Sequence, residues 1–218
     1  MLVQEIMTKN VLTTTAGTSV TDALSLMREK NVRRLPVLDK SGKLVGIVSD
    51  KDLLYASPSP ATSLSVFEIN GLLSKIFVSH VMSAKVLTIA EDLPVEDAAR
   101  IMADKKIGGL PVMKGGKLIG IVTETDLFRA LLQLFGGRRS GVRVTIRTPG
   151  TKGTFAKVTG IVSAAGGDIV GLGVVEAQGV PGDLWNVTLK VQDLTRKAVS
   201  AAFAKAGLEV VDIRETKE

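Results

Sequence analysis

The chain has 218 residues, of which 45% are hydrophobic and 23% are charged, a composition typical of folded globular proteins. The absence of cysteine excludes disulfides, thiolate metal sites and a cysteine nucleophile, and the single histidine, His80, argues against a histidine-based catalytic or metal site. The net charge is +6, with 16 basic and 14 acidic residues in positions 1–134 and 12 and 8 in positions 135–218. No leader peptide and no apolar run approaching the roughly 18 residues of a membrane-spanning helix are present, so we expect a cytoplasmic protein without membrane contact.

A long internal repeat occupies residues 1–134. Its motifs recur in register, offset by 75 residues at the first motif and by 74 at the last, so the two copies are expected to share one fold. The paired motifs are Met7-Thr8 and Met82-Ser83, Leu35-Pro36-Val37 and Leu110-Pro111-Val112, and Gly46-Ile47-Val48-Ser49-Asp50-Lys51-Asp52 and Gly120-Ile121-Val122-Thr123-Glu124-Thr125-Asp126.

Each copy is predicted to have the order β-α-β-β-α. In the first copy, apolar residues at helical spacing between Val20 and Met27 predict a helix, for which Thr18 or Ser19 is a suitable N-cap. Two short apolar runs separated by a polar turn predict strands, and the helix after them begins near Asp52. The predicted boundaries are 1–57 for the first copy, 58–77 for a linker with a connecting helix, and 78–134 for the second copy.

The pattern changes after a glycine- and arginine-rich linker at residues 135–140. Alternating and helical apolar periods over residues 141–218 predict the order β-α-β-β-α-β, which is that of a ferredoxin-like split βαβ unit. The fold class is therefore α+β, with two repeats followed by a C-terminal domain of a different kind.

Six basic residues precede the first acid in this C-terminal part. They are Arg138, Arg139, Arg143, Arg147, Lys152 and Lys157. We favour a solvated linker and strand face. The alternative is a surface around residues 138–157 that binds nucleic acid or phosphate, with the repeats acting as a dimeric scaffold.

The repeated motifs closely resemble those of a CBS-domain pair, also called a Bateman module, over residues 1–134. Residues 141–214 resemble an ACT domain. This order, together with the segment Phe67-Glu68-Ile69-Asn70-Gly71-Leu72-Leu73-Ser74-Lys75, is similar to the AcuB-type acetoin-utilisation family. The resemblance implies a non-catalytic regulatory protein that binds AMP, ADP, ATP or S-adenosylmethionine between the repeats and requires no other cofactor. It also implies a homodimer or higher homo-oligomer, and a signal passed to the ACT domain or to a partner enzyme.

Matching positions in the family assign two nucleotide clefts, each combining residues of both copies. The first cleft comprises Leu12, Val32, Arg33, Arg34, Thr123 and Asp126, and the second cleft comprises Leu87, Ile107, Gly108, Ser49 and Asp52. A carboxylate can accept both ribose hydroxyls, and a hydroxyl at a helix start can donate to a phosphate. Because two guanidinium groups can neutralise a polyphosphate and two glycines cannot, we expect the first cleft to bind charged nucleotides more tightly. The alternative is that Asp52 and Asp126 only cap helices.

An effector site in the ACT-like part is less clearly indicated. ACT domains usually bind a small effector, often an amino acid, near the turn between the first strand and the first helix. The matching positions here are Pro149, Gly150, Gly153 and Asp168. If Gly153 takes the place of the family's glycine, Lys152 replaces the proline, so pairing of ACT sheets across a dimer is an equally open alternative.

Motifs of nucleotide-dependent enzymes are incomplete in this sequence. Gly171-Leu172-Gly173 lacks the third glycine of a dinucleotide fingerprint, and Gly150-Thr151-Lys152-Gly153 lacks the spacing of a phosphate-binding loop. No nucleophile, base and orienting group come together along the chain. We therefore expect no catalytic residues and no metal site.

Overall fold

The computed structural model describes residues 1–56 and 75–217. They form two compact units, Met1–Leu127 and Phe128–Glu218. The predicted connecting helix between the repeats falls almost entirely outside the described residues. Within the two described ranges, no helix is long and apolar enough to cross a membrane.

The first unit contains the same arrangement twice. The first copy comprises α1 (Val3–Ile6), β1 (Thr14–Thr15), α2 (Val20–Glu29), β2 (Arg34–Leu38), β3 (Leu44–Ser49) and α3 (Asp50–Tyr55). The second comprises α4 (Val78–Val81), β4 (Ile89–Ala90), α5 (Val95–Lys105), β5 (Gly109–Lys114), β6 (Lys117–Thr123) and α6 (Glu124–Leu134). Each copy forms a three-stranded sheet in chain order, with the first two strands parallel and the last two antiparallel. The predicted β-α-β-β-α order is confirmed, and a one-turn helix that was not predicted precedes it.

Local sequence explains where the elements begin and end. The Ser19 hydroxyl accepts the Asp22 N–H at 3.1 Å and caps α2, as predicted. Val20, Ala23 and Met27 form the buried face of this helix. Asn31, with φ of 52°, follows the C-cap and turns the chain toward β2.

The leading segment of each copy packs against the other copy. Val3 is fully buried in the core that contains α5 and β5 of the second copy. Its N–H donates to the Leu93 carbonyl at 2.9 Å, and Thr8 exchanges backbone hydrogen bonds with Ile121 of β6 at 2.9 and 3.0 Å. Val3 is therefore part of the hydrophobic core of the second copy, and the partly buried Ile6 and Met7 pack against that core.

The second leading segment makes the reciprocal exchange. Val78 is buried in the core of the first copy, with α2, β2 and β3. Ile76 accepts the Val20 N–H at 2.9 Å, and Ser83 exchanges backbone bonds with Ile47 of β3 at 3.0 and 2.9 Å. The two sequence copies are thus interlocked, and neither core is complete without a segment of the other.

The second unit contains β7 (Gly141–Pro149), α7 (Thr154–Ala164), β8 (Asp168–Glu176), β9 (Leu184–Gln192), α8 (Arg196–Lys205) and β10 (Glu209–Thr216). Its antiparallel sheet has the strand order β10-β7-β9-β8. Helices α7 and α8 cover one face of the sheet, where Val158 and Phe203 pack against Val144 and Leu189. The predicted β-α-β-β-α-β order is confirmed.

Candidate functional site

The repeated hydroxyl and aspartate motif has the same geometry in both copies. Ser49 ends β3, and both its N–H and its hydroxyl donate to Asp52 Oδ2, at 2.8 and 2.6 Å. Thr123 ends β6 and donates in the same way to Asp126 Oδ2, at 2.9 and 2.7 Å. Each motif therefore fixes a carboxylate at the point where a buried strand turns into a helix.

The capping alternative is only partly correct. Ser49, and not Asp52, is the N-cap of α3, and Asp52 is the third residue of that helix. Its N–H donates to the Ser49 hydroxyl at 3.3 Å, which completes a capping box. In both copies the bonds from the strand-ending hydroxyl residue converge on Oδ2 of the aspartate. Asp126 is buried at 7% exposure, whereas Asp52 is half-buried.

Of the predicted base-contacting residues, Val32 and Ile107 lie just before β2 and β5, and Leu12 and Leu87 lie just before β1 and β4. Val32 and Ile107 are half-buried, and their N–H groups donate to the Met27 and Met102 carbonyls at 2.9 and 3.0 Å. Leu12 packs against the core of the first copy, and Leu87 is 47% exposed. The equivalent segments therefore have the same conformation in both copies.

The exchange of leading segments supports the cross-copy assignment of the clefts. The bridge between Thr8 and Ile121 places the chain that leads to Leu12 beside β6, which ends at Thr123. The equivalent bridge between Ser83 and Ile47 places the chain that leads to the second cleft's Leu87 beside β3, which ends at Ser49.

Arg34 reaches from the first copy onto the second. Its Nη2 lies 4.0 Å from Glu124 Oε2. A Cβ placed on Gly108 would overlap this guanidinium, and one on Gly109 would lie 3.0 Å from Arg34 Cδ. The arginine side chain therefore lies over the two glycines that occupy the equivalent positions in the second copy.

This contact explains why the copies differ at these positions, because larger side chains at 108 and 109 would displace Arg34. It also changes the expectation that Arg33 and Arg34 act together, since Arg34 already contacts the second copy while Arg33 is exposed. Sequence comparison of the copies showed the arginine-to-glycine difference but not that the two sites face each other.

The motif glycines are explained by a second pair of contacts between the copies. A Cβ on Gly46 would lie 2.5 Å from Met82 Sδ, and a Cβ on Gly120 would lie 2.5 Å from Met7 Sδ. Each leading methionine thus fills the space that the glycine of the other copy leaves open.

Comparison with known proteins decides the family. The CBS-domain model matches residues 3–59 and 78–133, which include both motifs described above. The chain belongs to the CBS-domain family.

Two relatives and three solved structures show the extent of this similarity. The present chain is 36% identical over 135 residues to a CBS domain-containing protein of Dictyostelium discoideum. This match covers 62% of the present chain and 93% of the relative. The present chain is also 38% identical over 136 residues to the chloroplastic protein CBSX2 of Arabidopsis thaliana, over 54% of this chain and 57% of CBSX2. The whole-protein roles of such longer relatives therefore do not transfer with the match.

The solved structures include two with bound ligands. CBSX2 in complex with AMP superposes with a TM-score of 0.52 at 38% identity, covering 61% of this chain and 97% of that one. The CBS domain pair of protein MJ0100, in complex with 5-methylthioadenosine and S-adenosyl-L-methionine, gives 0.51 at 30% identity, covering 64% and 98%. A Vibrio cholerae protein assigned to acetoin utilization (AcuB) gives 0.51 at 30% identity, covering 62% and 92%.

The four predicted effector residues of the C-terminal unit are not brought together. Pro149 pairs with Leu184 at one end of β9, whereas Asp168 pairs with Gln192 at the other end, roughly 27 Å away at about 3.4 Å per residue. Because β7 and β8 are both antiparallel to β9, the end of β7 lies far from the start of β8. Only Pro149, Gly150 and Gly153 share one loop, and Gly150 packs directly under Trp185.

The basic stretch of this CBS-domain protein does not form one cationic surface. Arg143 donates to Asp212 at 3.0 Å and Arg147 donates to Glu209 at 3.1 Å, so acids of β10 neutralise its middle. The nine residues of β7 span about 30 Å. Two of the other four cations, Arg138 and Arg139, precede this strand, and the other two, Lys152 and Lys157, follow it. This separation weakens the nucleic-acid interpretation.

The described part of the chain contains no cluster of possible metal ligands. Across residues 1–56 and 75–217, no group of three or more His, Asp or Glu side chains is arranged to hold a metal ion.

Proposed function

We propose that this protein is a non-catalytic sensor that binds adenine nucleotides in the two clefts between its CBS copies. The observation that carries the proposal is the doubled, hydrogen-bonded pair of hydroxyl and carboxylate, Ser49 with Asp52 and Thr123 with Asp126, in a chain of this family. The structures with AMP and with S-adenosyl-L-methionine support an adenosine-containing ligand.

The residues of each cleft have complementary roles in this proposal. The carboxylates of Asp126 and Asp52 accept the ribose hydroxyls. The apolar residues Leu12 and Val32, or Leu87 and Ile107, hold the adenine ring. Charge-assisted bonds of this kind contribute about 1.5–3 kcal/mol each, so the aspartates dominate affinity.

The C-terminal unit is proposed to be an ACT domain that receives the signal within a homo-oligomer or passes it to a partner enzyme. Its β-α-β-β-α-β order and its four-stranded antiparallel sheet support this assignment. Nucleotide binding transmits a signal only if the ligand binds two arrangements of the protein with different affinity. The similarity to the Vibrio cholerae protein supports an AcuB-type role.

Isothermal titration of AMP, ATP and S-adenosylmethionine tests this function. We expect Asp126→Ala to weaken one binding event and Asp52→Ala the other, with each dissociation constant raised about tenfold or more by loss of a charge-assisted bond. The two substitutions remove equivalent hydrogen bonds, so each variant is the control for the other. Absence of both heat and thermal stabilisation with the unmodified protein would contradict the proposal, as would unchanged binding in both variants.

Arg33→Met tests the proposed phosphate contact. We expect it to weaken ATP binding about tenfold relative to AMP binding, because an exposed guanidinium contributes most to the more charged ligand. Arg28→Met removes another exposed arginine, on α2, and serves as the control. Equal losses for ATP and AMP in Arg33→Met would show that this residue does not contact the terminal phosphates.

A further inference from the structure

One face of the C-terminal sheet is not covered by α7 and α8. Strand register places Arg143, Lys190 and Gly171 in one row across β7, β9 and β8, and Thr145, Thr188 and Gly173 in a neighbouring row. The intervening residues, including Val144 and Leu189, point to the helices. These two rows therefore lie on the opposite, open face of the sheet.

The segment after α6 covers part of this face. The Phe135 ring occupies the space above Gly173, and a Cβ on Gly171 would lie 2.5 Å from the Phe135 carbonyl oxygen. Together with Leu131 and Leu132, Phe135 forms an apolar wall beside β8. A cavity of about 550 Å³ remains between this wall and the sheet, a size typical of small-ligand sites.

The opposite wall of the cavity is cationic. Lys190 is only 5% exposed, and its ammonium donates to the Thr216 hydroxyl, which itself donates to the Gly141 carbonyl at 3.1 Å. Burial, and then the positive charge of Arg143, lower the pKa of Lys190 below its ordinary value.

Asp212, an acid on the same face of the sheet, is shared by two arginines. Asp212 accepts from Arg143 at 3.0 Å and from Arg214 at 2.8 Å. Among the residues that the structure describes, no carboxylate forms an ion pair with Lys190. A buried cation without an anion is unfavourable, and an anion in the cavity would remove that cost.

We propose that this cavity binds a small carboxylate with a branched hydrocarbon tail. The carboxylate accepts from Lys190 and Arg143, and the tail packs against Phe135, Leu132 and Val175, which line the same cavity. An amino acid fits less well, because its ammonium group would approach two cations. A polyphosphate would leave the apolar wall without a partner.

Calorimetric titration of the full chain with isovalerate tests the proposal, with isoamyl alcohol and L-leucine as probes that share its hydrocarbon part. We expect saturable isovalerate binding that is about tenfold weaker in Lys190→Met and unchanged in Lys205→Met, which removes an exposed lysine at the end of α8. Isoamyl alcohol and L-leucine are each expected to bind about tenfold more weakly than isovalerate.

The pH dependence of the same titration provides a second readout. A carboxylate binds the protonated form of Lys190, so affinity falls as pH rises through the lowered pKa of this lysine. The other charged groups on this face of the sheet are Arg143, Arg214 and Asp212. Lys190→Met is expected to lose this dependence.

Three results would overturn the proposal: no saturable isovalerate binding, equal binding in Lys190→Met, or equal affinity for either comparison probe. Asp126→Ala is expected to retain isovalerate binding. A failure of the nucleotide function is therefore distinguishable from a failure of this site.

Discussion

Truncation of Val3 to alanine is expected to loosen the second CBS copy and to leave the first copy unchanged. Val3 is fully buried among Ile89, Ala98 and Leu110, all of which belong to the second copy. Removing its methyl groups opens a cavity there and costs about 2 kcal/mol. Hydrogen exchange under native conditions measures this effect locally, and amides of α5 and β5 should exchange faster while those of α2 and β2 keep their rates.

Val78→Ala is the matched control because Val78 holds the equivalent position in the other leading segment. It packs with Val20, Leu35 and Leu53 of the first copy. Faster exchange should now appear in α2 and β2 and not in α5 and β5. If each truncation instead loosened the copy to which its residue belongs in sequence, the exchange of leading segments would be wrong.

Gly171→Ala is expected to cost about 3 kcal/mol, at the upper end of the range for inserting a methyl group into a packed site. The added Cβ would collide with the backbone of Phe135 and lie 2.8 Å from the Gly136 nitrogen, and backbone atoms cannot rotate away. Urea denaturation followed by circular dichroism should show a lower midpoint with an unchanged slope.

Substitutions at two other glycines serve as references for the stability change of Gly171→Ala. Gly173→Ala meets only the ring of Phe135, which can turn, so its cost should be smaller. Gly160 lies within α7 with open space around its Cβ, and Gly160→Ala should stabilise the protein by about 1 kcal/mol through helix propensity. A midpoint for Gly171→Ala equal to that of Gly160→Ala would show that Phe135 does not pack on β8.

The sequence alone predicted those features that depend on neighbouring residues. The repeated motifs indicated the CBS pair, which the family match confirms. The position before an amphipathic stretch predicts Thr18 or Ser19 as a cap, and the structure shows Ser19 in this role. The β-α-β-β-α-β order follows from apolar periodicity. Each of these signals is read directly from the order of residues along the chain, so no knowledge of the tertiary structure is needed.

The tertiary structure decided which distant residues meet. A repeated sequence shows that two copies fold alike, but it does not show that Val3 belongs to the core of the second copy or Val78 to that of the first. Likewise, the contact of Arg34 with Gly108 depends on how the copies face each other.

In the C-terminal unit, the order of the strands in the sheet decides which distant residues meet. It separates Asp168 from Pro149, although the resemblance to ACT domains groups them, and it places Lys190 beside Arg143 on an uncovered face. The physical reason is common to all these cases. Helix and strand periods fix which face of an element is apolar, whereas the partner of that face is chosen by packing between segments far apart in sequence.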